Sequence, residues 1–155
     1  MLENRRIGRL AAIALALAAA TPAHASDWRL TAARHTRYGS SLSFVDLQSI
    51  RGGDGQVQFS TLTFFGRRTR GMNRVAAAVT AECRSMTYRF DRVTLLWNQR
   101  PLGTWHSLSS QSARPHSNVY DAIGAACGLS DAGAHVERIE SFAAAWFQRQ
   151  RRARA

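Results

Sequence analysis

Lysine is absent from this chain: all 21 basic residues are arginine, set against 10 acids. With abundant alanine, that usage reflects GC-rich coding and says nothing of function. Cysteine is nearly absent too, with two residues, Cys83 and Cys127. Two cysteines leave one disulfide or a pair of buried thiols. The longest apolar run, residues 10–20, has eleven residues. A helix needs roughly 20 to cross a bilayer. Metal-binding and catalytic spacings are missing as well. His35, His106, His116 and His135 show neither H-x-H nor H-E-x-x-H order, and no G-x-S-x-G elbow occurs. Glu82 and Asp91 cannot be paired across space from sequence. No metal, cofactor or catalytic residue is therefore expected, and an enzyme is the weakest class.

What is present begins with Arg5, Arg6 and Arg9, then the apolar run, Pro22 and Ala23-His24-Ala25. A basic region, a short apolar region and an A-x-A site describe a cleavable secretory signal over residues 1–25, cut between Ala25 and Ser26. A retained anchor is the alternative, disfavoured by the length of the run. No cysteine follows that run, so nothing could take a lipid at the cut. A periplasmic or secreted protein is expected. From residue 26 onward 18 arginines face 9 acids, a net charge of +9. In a cytoplasmic protein that charge would point to nucleic acid. Export points instead to an anionic glycan or lipid surface, or to an envelope or extracellular protein. Self-association into a homo-oligomer is also compatible. An oxidising compartment favours the Cys83–Cys127 disulfide over free thiols. A bonded Cys83 has no thiolate to offer as a nucleophile.

Residues 28–108 read as about six strands. Segments 28–32, 42–46 and 56–65 are β-branched, aromatic or alternating, separated by turns at 38–41 and 51–55. Gly66 to Gly71 reads as an arginine loop in which Arg67, Arg68 and Arg70 could clamp an anion by paired hydrogen bonds. A solvated loop tip is the plainer account of the same residues. Between 75 and 83 the apolar period is two rather than 3.6, which favours strand over the helix that alanine alone would suggest. The apolar parity flips near 84–85 and again near Asp91, and a strand changes phase only through a turn or bulge. A turn at 98–103 and a strand at 104–108 complete an antiparallel meander.

Two helices follow. Ser117 is a good N-cap, Val119, Ile123 and Ala126 form a stripe beside Cys127, and Gly128 ends the helix. Ser130 is read as the cap of a second helix over 131–149, with Val136, Ile139, Ala143 and Trp146 on one face between Phe142 and Phe147. Acids early and arginines late suit its dipole. Its apolar stripe could pack on the sheet or, with the basic tail, meet a membrane or protein partner. Trp28, Trp97 and Trp105 read as sheet-face residues rather than a ligand cage. The fold expected is α+β: a curved antiparallel sheet, one disulfide-tethered helix and a C-terminal amphipathic helix.

The order of these features resembles the surface-adhesin protein E family of proteobacteria over roughly residues 27–128. The resemblance is carried by Trp28, by Phe44-Val45-Asp46 with Ser49-Ile50, and by a glycine turn before a strand. Glu82-Cys83-Arg84, a tyrosine-bearing strand, Trp105 and Cys127 complete it. It implies a curved antiparallel sheet tied to a helix by Cys83–Cys127, in a non-enzymatic envelope protein whose founding members are adhesins for host matrix proteins and plasminogen. The founding adhesin is lipid-anchored, whereas the signal here lacks a lipobox cysteine, so surface display stays possible but without that anchor, and residues 129–155 lie beyond the resemblance. No adhesive residue carries over.

Overall fold

A computed structural model describes residues 26–36, 39–69, 72–106 and 109–153. Residues 1–25, read as the secretory signal, lie outside the described residues. Among the described residues seven strands precede two helices. They are β1 (Trp28–Thr36), β2 (Gly39–Gly53), β3 (Gln56–Thr69), β4 (Met72–Glu82), β5 (Thr87–Trp97), β6 (Arg100–His106) and β7 (Gln111–Ser112), then α1 (Asn118–Ala126) and α2 (Ile139–Arg152). The first six strands pair in chain order as one open antiparallel sheet, and β7 adds to the start of β5. The α+β class and the meander read from the sequence are present.

Several connections are tighter than the sequence suggests, because two-residue turns replace loops. Asp54 and Gly55 both have positive φ and close the β2–β3 hairpin, so residues 51–53 are strand. Asn98 and Gln99 do the same between β5 and β6, and β6 starts at Arg100. Paired positive φ values match the twist of the strands that such turns join. Gly39, Ser40 and Ser41 likewise belong to β2, with Thr36 opposite Gly39. The first parity flip is the turn over 83–86. The second is a bulge: Ala78 pairs with Arg92 and Val79 with Phe90, leaving Asp91 as the extra residue.

Each face of the sheet carries its own core. On one, Val45, Phe59, Val79, Ala81 and Tyr88 pack against Ala122, Ile123 and Ala126 of α1. On the other, Leu42, Phe44, Leu62 and Phe64 meet Val136, Ile139, Ala143 and Phe147. β2 is covered on both sides, so residues 42–46 are buried without a break. The apolar stripe of α2 is thus packed on the protein's own sheet. Ser117 caps α1, accepting from the Tyr120 amide. Arg34 of β1 ties its first turn down through Asn118 and Asp121. At the other end Gly128, at φ +67°, donates to Ala125 O while Leu129 donates to Gly124 O, a Schellman close.

The second helix starts later than expected. Ser130 is not its cap; Arg138 precedes its first residue, Ile139, and residues 131–138 are not helical. They run along the free edge of β1. Leu30 N–H donates to Ala134 O (3.2 Å), Val136 N–H donates to Trp28 O (2.9 Å), and Arg29 bridges to His135. Gly133 is required there, since a Cβ would sit 2.3 Å from Leu30 O. Unpaired strand edges invite foreign pairing, and this chain covers one edge with its own backbone.

Candidate binding surface

The disulfide joins the two cysteines named from the sequence: Cys83 and Cys127 are bonded, with Cα atoms 5.7 Å apart. It fastens the end of α1 to the β4–β5 turn. Arg67 and Arg68 fall on the last stretch of β3, not on a loop, because that strand runs to Thr69 and pairs it with Met72. Arg70 lies outside the described residues.

The histidines are spread apart. His35 stacks on Trp146, with ring centroids 4.9 Å apart, and its Nδ1 lies 2.8 Å from Ser40 Oγ. His135 Nδ1 lies 2.6 Å from Asp27 Oδ1. His106 is on β6, and His116 precedes α1 at φ +60°. Among the described residues no three His, Cys, Asp or Glu side chains are placed to share a metal ion.

Three titrating groups are displaced from their usual ranges. Hydrogen bonds from Arg29 and then His135 hold the Asp27 carboxyl below its ordinary 3.8. Partial burial pushes Asp91 upward, but hydrogen bonds from Thr80 and Arg89 outweigh it and leave the carboxyl lowered. Burial raises Tyr88. All three effects belong to packing: Asp27 ties down the cover of β1, Asp91 the bulge, and Tyr88 lies in the core under α1.

The surface with room for a partner comes from register. Trp28, Asp46, Ser60, Ala78, Arg92 and His106 form one cross-strand row through all six strands. The next row runs Leu30, Phe44, Leu62, Ala76, Thr94 and Thr104. At the β1–β3 end Trp28, Leu30, Phe44 and Leu62 of these rows are large and join the core formed with α2 and the segment before it. Over β4–β6 they become alanine, threonine, Arg92 and His106; Ala76 still touches the edge of that core, while Arg92, Thr104 and His106 are exposed. The result is a trough of about 640 Å³ on the sheet, with Trp28, Leu62 and Leu96 on its walls. Arg92 and His106 stand directly opposite each other across β5 and β6. No aspartate or glutamate lines the trough among the described residues.

Beyond it lies β6, exposed on both faces and, among the described residues, paired with β5 alone. Leu102 and Trp105 are 53% and 46% exposed. Trp105 lies over Gly103, where a Cβ would be 3.0 Å from the ring. Neither the trough nor Arg92 stood out in the sequence. The signal that could have found them is small residues at both parities, Ala76, Ala77 and Ala78, where large ones would have been needed under a helix.

No protein-family model matches the chain, nor does any curated protein or solved structure.

Proposed function

We propose that this is an exported, non-enzymatic binding protein of the bacterial envelope, similar in kind to surface-adhesin protein E, that receives an anionic partner on the uncovered face of β4–β6. The observation that carries this reading is the trough in which Arg92 and His106 stand opposite each other with no carboxylate lining it among the described residues. Guanidinium recognises phosphate, sulfate and carboxylate groups by paired hydrogen bonds. The surrounding small side chains leave the backbone within reach of a bulky ligand. A signal-like residue 1–25 segment and a disulfide both suit an oxidising compartment outside the cytoplasm. The excess of arginine over acids draws anionic surfaces toward the molecule.

The test is binding of the oxidised protein to heparin and, in parallel, to phosphatidylglycerol vesicles across a salt series. Exposed charge pairs are screened beyond about 8 Å at physiological ionic strength. The affinity should fall steeply with salt for at least one of the two, and the double variant R92A/H106A should lose about tenfold, the scale of one charge-assisted hydrogen bond. Salt-insensitive binding, or an unchanged double variant, would contradict the proposal.

A further inference from the structure

A second cavity, of about 460 Å³, lies under α2 beside the start of β4. Phe64 and Phe65 of β3 wall it on the sheet side, and Ala143, Ala144 and Phe147 wall it on the helix side. Arg74 lines it, and that side chain is only 7% exposed. Its guanidinium lies 5.7 Å from the Phe64 ring centre. Among the described residues one ion pair reaches it, Arg74 Nη1 to Glu140 Oε1 at 3.3 Å, and Glu140 is half in solvent, 52% exposed. Arg74 Nε is buried without a hydrogen-bond partner among the described residues.

A buried guanidinium is costly unless its charge is met closely and its donors are filled. Here a half-exposed carboxylate answers the guanidinium at Nη1, while Nε is left buried and unanswered among the described residues. If Arg74 served only to pin α2, a snug bidentate pair would do so better. The far wall is rigid for a separate reason. Asn73 Nδ2 donates to Asn98 Oδ1 (2.8 Å) and Asn98 N–H donates back to Asn73 Oδ1 (3.2 Å), which fixes the β5–β6 turn against β4. The chamber is within the size range of small-molecule sites, which are largely apolar with a few placed polar groups.

We propose that this cavity is a site for a small amphipathic organic acid. Its carboxylate replaces Glu140 on Arg74, and its apolar body lies between Phe64 and Phe147. Glu140 is then an internal stand-in that swings into solvent when the acid enters. The site is independent of the trough proposed above, so either can fail without the other.

The probe is 2-naphthoate against its neutral amide, 2-naphthamide, titrated calorimetrically into the oxidised protein. Naphthoate should bind, and the amide should bind about tenfold more weakly or not at all. E140Q removes the competing carboxylate and should tighten naphthoate binding. R74M should abolish it. Should R74M fail to fold, A144W, which fills the cavity mouth from the exposed side of α2, should abolish binding in a folded protein, while R92A/H106A leaves it unchanged. Equal binding of acid and amide, no binding of either, or weaker binding by E140Q would each overturn the proposal.

Discussion

Asp27 shows how much one carboxylate can hold. It accepts from Arg29 Nε (2.8 Å) and Arg29 Nη2 (3.2 Å) and lies against His135, so it joins the first strand to the segment that covers that strand's edge. Its folded-state pKa is below the ordinary 3.8. A lowered carboxyl contributes stability above its unfolded pKa and loses it as pH falls through the folded value. The cover over β1 should therefore loosen below about pH 4. Amide protection factors at Leu30 and Val136 should fall there, and D27N should show the same loss at neutral pH. Equal protection at pH 3 and pH 7 would count against this role. Gly133 makes a steric counterpart. G133A places a methyl against Leu30 O and should destabilise the protein by about 1–3 kcal/mol, the range of overpacked sites. Urea unfolding measures it, and a loss below a few tenths of a kcal/mol would show that the segment yields easily.

At the scale of elements, the strands were legible because their period is two and each phase change has a local cause. Residues 75–81 alternate, the flip at 84–85 is a turn, and the flip at Asp91 is a bulge. The Ser117 cap and the Gly128 stop were legible for the same reason: both act within one helical turn. The start of α2 was not. Val136 is extended, yet its side chain joins the same core as Ile139 and Ala143, which imitates a helical stripe. Ser130, shaped like an N-cap, instead packs over Gly124 at the close of α1. Backbone pairing of 134–136 with β1 leaves no side-chain period to read, and neither the trough nor the Arg74 cavity is visible without knowing which residues share a row. The disulfide has the clearest element-level consequence. It closes a loop with a sequence separation of 44, worth about 4 kcal/mol in the chain-entropy account. C83S/C127S should lose up to that amount in reversible urea unfolding, with α1 the first part to detach. Stability equal to the parent would mean the bond adds little to a fold already held by Ala122 and Ile123.

Over the whole molecule, the sheet is covered unevenly. Its β1 edge is closed by the chain's own backbone and β2 is buried on both faces over residues 42–46, while β6 and the trough around Arg92 and His106 stand open. Large uncovered sheet surface beside exposed Trp105 and Leu102 is the feature that a stand-alone domain has least use for. On the proposed reading an exported binding protein would use it, and the arginine excess would favour anionic partners there. That reading depends first on the compartment. The most direct measurement is the intact mass of the protein recovered from fractions of its native host, with and without reduction. The account predicts a chain beginning at Ser26, found in the periplasm, on the surface or in the medium, and two hydrogens lighter before reduction than after. Full-length protein in the cytoplasm, with residues 1–25 retained and both thiols free, would contradict it.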